Sequence, residues 1–310
     1  MIQQFLIFFG ALAVLLLSAR FFTGSAEKIG EWLQLPAFVV GIFIVGIGTS
    51  LPELIAGIIS VQKGVSEILP GNVMGANISN ILLITGMAAV LNRKTITLSS
   101  GYIYVDLHFL VGSFFYFVLV AYDGVIRPLE ASVGLIMFLV YSIYLIRGET
   151  AEANKKNQEV RSEFPMKAAT MLLLSGVGIY FGAEYTIGAL RKIAQSIGVP
   201  QSVIALTLLS LGTTLPELAV IVSAVRQGKV EMAIGNVLGS CIFNTLAIAS
   251  IASFFGNITV PPDLLQLSLP IMSACGLLFY LLTQDKRISV WEGLMFVSLY
   301  LLFILQVIQR

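Results

Sequence analysis

Gly48-Thr49-Ser50-Leu51-Pro52-Glu53 returns 164 residues later as Gly212-Thr213-Thr214-Leu215-Pro216-Glu217, each copy inside a run otherwise apolar enough to cross a membrane. A charged glutamate in hydrocarbon costs roughly 3 kcal/mol or more, so an intramembrane carboxylate marks function. At the same offset, residues 36 to 80 match residues 200 to 244 at 17 of 45 positions without a gap. The chain is therefore an internal duplication.

Composition sets the class. Of 310 residues, 57% are hydrophobic and 11% charged, and the mean hydropathy is +0.93, far outside the range of a soluble domain. A net charge of +1, with no long basic run, gives nucleic acid nothing to bind. Cys241 and Cys275 lie in apolar segments without metal-type spacing and read as packing residues. The first apolar run has no basic residue before it and Arg20 at its far end, so it reads as a first membrane helix rather than a cleaved leader.

Apolar runs of membrane length fall at about 3–22, 36–62, 69–90, 102–121, 129–146, 167–187, 199–225, 232–254, 266–282 and 290–308. The expected fold is an all-α polytopic membrane protein of ten transmembrane helices. Residues 1–146 form a first five-helix repeat, 147–166 a polar cytoplasmic linker, and 167–310 a second repeat. Five is odd, so the second repeat enters the membrane inverted, the plan of secondary transporters whose sites sit at the midplane on discontinuous helices. With both termini outside, only Lys63, Arg127, Arg191, Lys192 and Arg310 of the 18 Lys and Arg stay outside, as the positive-inside rule asks. The plasma (inner) membrane of a prokaryotic cell is the expected location.

Pro52 and Pro216 carry no amide hydrogen, which frees the carbonyls of Gly48 and Gly212 and predicts broken second and seventh helices. Helical spacing turns Thr49 and Ser50 to the side of Glu53, and the arrangement repeats at Thr213, Thr214 and Glu217. Hydroxyls, carboxylates and bare carbonyls are the donors that hard cations select, calcium and sodium alike. The following helix of each half repeats Gly71-Asn72-Val73-Met74-Gly75-Ala76-Asn77-Ile78-Ser79-Asn80 as Gly235-Asn236-Val237-Leu238-Gly239-Ser240-Cys241-Ile242-Phe243-Asn244. Its GxxxG step lets a neighbouring backbone approach closely, and its last residues, Asn80 and Asn244, are expected against the glutamates.

The two motifs in tandem, once per half, resemble the alpha-repeats of the sodium/calcium exchanger family, among the cation/calcium antiporters. The resemblance implies four central positions, Glu53, Asn80, Glu217 and Asn244. It adds hydroxyl ligands at Thr49, Ser50, Thr213, Thr214 and Ser240, and carbonyl ligands at Gly46 and Ser210. It also implies alternating access, with the first and sixth helices moving as a pair. Asn244 stands where potassium-dependent members carry an aspartate, so potassium is not expected to be required. Ala76 stands where a serine often ligates sodium, so one hydroxyl is missing.

The expected function is calcium/sodium antiport, with membrane lipid as the only other partner, no cofactor, and a monomer. Charge supports it: the two glutamates balance one calcium ion or two sodium ions. A cation/proton exchanger uses the same carboxylates and is the rival, with His108 beside Asp106 either a proton carrier or an interfacial anchor. A passive channel explains paired carboxylates less well. With one histidine and neither HExxH nor GxSxG, an intramembrane hydrolase is poorly supported. Glu184, near the outer end of the sixth helix, reads as interfacial.

Overall fold

Backbone in hydrocarbon has no water to bond, so a chain this apolar satisfies its amides within helices. The structure, a computed structural model, describes residues 2–98, 103–153, 164–196 and 201–309, with the side chains at 103–104, 147–153, 187, 190–191, 194, 201–213 and 308 outside that description. The helices in order are α1 (Ile2–Leu33), α2 (Ala37–Gln62), α3 (Ile68–Asn92), α4 (Ile103–Ala121), α5 (Pro128–Ala153), α6 (Met166–Ser196), α7 (Gln201–Arg226), α8 (Val230–Ser253), α9 (Leu264–Leu282) and α10 (Val290–Ile308). Among the described residues, eight are long and apolar enough to cross a membrane, and Val105–Ala121 is a shorter apolar stretch. This is an all-α polytopic membrane protein.

Helix ends run past the apolar windows. α1 continues through Glu27, Lys28 and Glu31 to Leu33, and α6 continues to Ser196. Hydropathy senses only the part of a helix that must be apolar. The interruption of α2 also takes another form. Pro52 lies inside an unbroken helix, and the departure from α geometry comes earlier, as a π-helical turn at Gly41–Gly46. α7 likewise runs through Pro216 as one helix. Further π-helical turns occupy Ser79–Ile84 of α3 and Phe243–Ile248 of α8, the same place in the two repeats. Each such turn carries an extra residue and re-aims the side chains within it.

Among the described residues four two-residue strands, β1 (Ile96–Thr97), β2 (Val125–Ile126), β3 (Ile258–Thr259) and β4 (Arg287–Ile288), tie the ends of the bundle. β1 pairs with β4 through Ile96 opposite Ile288, and β2 pairs with β3 through Ile126 opposite Ile258. A step of 162 residues carries Ile96 onto Ile258, and the same step carries Ile126 onto Ile288. Each sheet therefore joins one strand from either half, and the repeat exchanges the two sheets. That is the mark of halves related by a pseudo-two-fold axis. The backbone N–H of Thr259 donates to Ser66 Oγ at 3.1 Å, placing the α2–α3 turn at the β2–β3 end. α8 leaves Lys229 and arrives at β3, so Lys229 and its partner Glu27, 2.6 Å apart, mark the β1–β4 end.

The apolar core has two parts. The larger runs through α2, α3, α4, α5, α7, α8, α9 and α10. A second joins Leu15, Ala19 and Phe22 of α1 to Ile179 and Ala183 of α6, touching α2 and α7 at Val45 and Ala219. α1 and α6 approach closely at small residues: a Cβ on Gly182 would meet Leu15 N at 2.8 Å. The outer faces of this pair, including Leu17, Phe21, Leu173 and Leu174, are exposed and apolar, as a lipid-facing surface requires.

Two polar expectations resolve here. Asp106 is fully buried and accepts a hydrogen bond from Tyr141 Oη at 2.8 Å, whereas His108 is exposed and faces Tyr280 Oη at 3.5 Å. Two residues apart on a helix they point different ways and share no site. Arg127 pairs with Asp123 at 2.7 Å in the α4–α5 turn and holds that carboxyl below the usual carboxylate range. Cys241 and Cys275 are buried free thiols.

Candidate functional site

The site begins where α8 meets the π-helical turn of α2. Gly41 and Gly46 on one side and Gly235 and Gly239 on the other leave no room for side chains. A Cβ on Gly239 would stand 2.6 Å from Ile42 Cα, and one on Gly46 would stand 3.1 Å from Ser240 N. The second GxxxG step thus performs the close approach read from its spacing. The first step differs at Gly75, where nothing among the described residues comes within 4 Å of the place a Cβ would take.

The contact between α2 and α8 makes the Gly46 carbonyl a hub. It accepts from Thr49 Oγ1 at 3.2 Å and from Ser240 Oγ at 3.3 Å, and Ser240 Oγ also lies 3.2 Å from Asn236 Oδ1. Three predicted positions, from two halves of the chain, meet at one oxygen. A hydroxyl whose proton is committed keeps lone pairs free to face elsewhere.

One turn beyond Thr49 on α2 is Glu53, 6% exposed; its counterpart Glu217 is 3% exposed, and the two carboxylates lie within electrostatic range of each other. Thr49, Glu53, Asn72, Pro216, Tyr180 and Glu184 line a cavity of about 400 Å³. The other predicted polar side chains that are described, and Asn236, are buried: Ser50 at 0%, Thr214, Asn80 and Asn244 at 2%, Ser240 and Asn236 at 1%. Asn80 and Asn244 are each the second residue of a π-helical turn, a device that recurs at functional sites.

Buried polar atoms in folded proteins are nearly always bonded, so exceptions need a cause. Among the described residues seven side-chain atoms are such exceptions, and besides Asn77 Oδ1, Asp106 Oδ2 and Asn236 Nδ2 they fall on the two glutamate motifs and on Asn244. Ser50 Oγ, Glu53 Oε2, Glu217 Oε2 and Asn244 Oδ1 have no hydrogen-bond partner among the described residues, and all four belong to predicted positions. Every one is an oxygen that can face a cation.

Some predicted positions contribute less or lie outside the described side chains. Ser210 and Thr213 fall on the stretch of α7 whose side chains are not described. Ala76 is buried and brings no oxygen to the step that Ser240 fills in the other half. Sequence reasoning passed over Asn77, fully buried, whose Nδ2 donates to Thr245 Oγ1 at 2.7 Å and whose Oδ1 is unpartnered among the described residues. It stood inside the quoted motif, but its counterpart is Cys241, so the repeat did not flag it. Glu184 was read as interfacial and instead lines the cavity.

A family profile described as sodium/calcium exchanger protein matches residues 3–147 and 167–309. The chain is 29% identical over 344 aligned positions to the sodium/calcium exchanger MaX1 of Methanosarcina acetivorans, covering 97% of each. It is 28% identical over 298 residues to an uncharacterised membrane protein of Methanocaldococcus jannaschii, covering 94% of each. Among solved structures it is similar to the sodium-calcium exchanger NCX_Mj soaked with sodium and strontium, at a TM-score of 0.84 and 25% identity over 98% of both chains.

Proposed function

The chain belongs to the sodium/calcium exchanger protein family, and from that premise we propose that it is a secondary active antiporter, exchanging calcium for sodium by alternating access at a site built on Glu53 and Glu217. The observation that carries the reading is the set of buried oxygens on Ser50, Glu53, Glu217 and Asn244, all in the repeated motifs, that have no hydrogen-bond partner among the described residues. No apolar packing argument accounts for them, and a bound cation does.

Glu53 and Glu217 supply two negative charges, and Asn80 and Asn244 add ligand oxygens without charge. One calcium ion balances the pair, and two sodium ions do the same. The two cargoes therefore compete for one set of carboxylates, and that competition is exchange. Moving the site empty and doubly charged is costly, whereas the filled site is neutral, so flux of one cargo is tied to the other. Thr49, Ser50, Thr213, Thr214 and Ser240 offer hydroxyl ligands and Ser210 a carbonyl. Gly46, its lone pairs committed to Thr49 and Ser240, orients those two hydroxyls in this conformation.

The halves 1–146 and 167–310 act as inverted five-helix repeats joined by 147–166, making ten crossings. The β1–β4 end, with the basic excess, is cytoplasmic, and both termini are outside the plasma membrane. The separate apolar contact of α1 with α6 supports a pair that moves as a unit. Calcium and sodium are cargo, and no resident cofactor is invoked.

The test is ⁴⁵Ca uptake into sodium-loaded proteoliposomes at clamped pH. Wild-type protein takes up calcium, while Glu53→Gln and Glu217→Gln lose sodium-driven uptake. Exchange surviving in either variant overturns the assignment of the site. Uptake that follows a proton gradient and ignores sodium assigns the protein to cation/proton exchange instead.

A further inference from the structure

Glu184 lies within the apolar span Met166–Thr186 of α6, is exposed, and makes no ion pair among the described residues. It shares the cavity with Glu53, whose Oε2 is buried and unpartnered among the described residues. A charge within a membrane span that faces a cavity rather than lipid belongs to the path of an ion.

The cavity has a direction. It follows α2 from Gly48 to Ala56 and α6 from Gly176 to Glu184. Both stretches run toward the β2–β3 end, where the turn after α2 bonds β3. Glu184 is the lining residue nearest that end on α6, so an ion entering there passes it before reaching Glu53.

The internal repeat describes the opposite approach. At the offset of 164, Ala183-Glu184 aligns with Ala19-Arg20, and the flanking matches Gly188 with Gly24, Lys192 with Lys28 and Ile193 with Ile29 fix the register. Gln227 Nε2 donates to the Arg20 carbonyl at 3.4 Å, which puts Arg20 toward the β1–β4 end. In an alternating-access cycle the two-fold would open the mirrored approach at that end, with Arg20 in the place of Glu184. One approach would then carry a negative charge and the other a positive one.

We propose that Glu184 recruits cations at the β2–β3 mouth of the cavity while Arg20 repels them at the opposite mouth, so that the exchanger loads calcium more readily from the β2–β3 side. The proposal rests on the exchange reading and adds sidedness to it. A single unit charge near the path of a divalent ion changes its local concentration by a few-fold in low salt, and the effect fades as the Debye length falls to about 3 Å in 1 M salt.

Sided ⁴⁵Ca uptake in oriented proteoliposomes tests this. Glu184→Gln raises the calcium KM from the β2–β3 side about threefold at low ionic strength, with maximal rate and opposite-side KM unchanged, and the difference closes in high salt. Arg20→Gln lowers the KM from the opposite side alone. A Glu184→Gln protein with wild-type KM, or with a rise that is independent of salt or equal on both sides, overturns the proposal, as a merely structural role would. If Glu184→Gln fails to insert, Glu184→Cys decides: an anionic thiol adduct restores the low KM and a cationic one raises it, and equal effects overturn the proposal. Wild-type protein without sodium-driven uptake overturns the exchange reading and this inference together, whereas wild-type activity lost in Glu53→Gln but indifferent to Glu184 overturns this inference alone.

Discussion

Ala76 and Ser240 occupy the same step of the two repeats, and the structure shows what the hydroxyl does where it is present. Ser240 Oγ donates to the Gly46 carbonyl from across the interface, with Asn236 Oδ1 four residues earlier also in reach. Ala76 is buried at the equivalent step and has Asn72 four residues earlier, facing the cavity. Serine adds one oxygen to alanine and little volume, so the position accepts it without overpacking. Ala76→Ser is expected to lower the half-saturating sodium concentration about fivefold, roughly the 1 kcal/mol of one added polar contact, with calcium exchange retained. Sodium titration of ⁴⁵Ca efflux reads it, and an unchanged sodium requirement places Ala76 outside the sodium shell. At this scale the motif residues were legible because a carboxylate or amide in an apolar run is too costly to stand there without a use. Asn77 and Glu184 were not: Asn77 has no polar counterpart in the repeat, and Glu184 resembles any charge near a helix end.

Among the elements, the contact between the π-helical turn of α2 and the start of α8 decides whether Gly46, Thr49 and Ser240 meet. Gly235 and Gly239 let the backbone of Phe38–Ile42 lie directly on α8, which brings Gly46 to Ser240. Gly239→Ala places a methyl 2.6 Å from Ile42 Cα and 2.7 Å from Ile42 O, main-chain atoms that cannot turn aside. It is expected to destabilise the protein by about 1–3 kcal/mol, read as a lower Tm in detergent, with sodium-driven uptake reduced. Gly10→Ala, exposed on α1 with nothing within 4 Å among the described residues, leaves both unchanged. The π-helical turns were invisible beforehand because they follow from packing around the site and leave no mark in residue type. Proline pointed to the wrong device: Pro52 and Pro216 are carried within continuous helix, and the interruption of α2 is the π-helical turn at Gly41–Gly46.

At the scale of the molecule, α1 and α6 hold each other through a core of their own and meet the rest at fewer places. One of these is the Glu27–Lys229 pair at the β1–β4 end, half-exposed on the glutamate side and so a weak tie. If the pair of helices moves as a unit, joining them covalently does no harm. A Cβ on Gly178 would lie 3.1 Å from Ser18 Cβ, near the disulfide range of about 3.5–4.5 Å. Oxidised Ser18→Cys/Gly178→Cys is expected to keep exchange at close to the wild-type rate. Arrest on oxidation, reversed by reductant, shows instead that α1 and α6 slide against each other.

The duplication, the membrane class and the paired glutamates all followed from the sequence, because hydrocarbon penalises charge and unpaired backbone so heavily that exceptions announce themselves. Tertiary structure alone decided that Gly46 is shared between Thr49 and Ser240, that buried motif oxygens are left without partners among the described residues, and that Glu184 and Glu53 line one cavity. Those facts depend on which helix lies against which and at what rotation. Close approach between backbones settles both, and residues 164 positions apart carry no local signal of it. The repeated motif named two glutamates; the fold buried both and set a cavity beside Glu53.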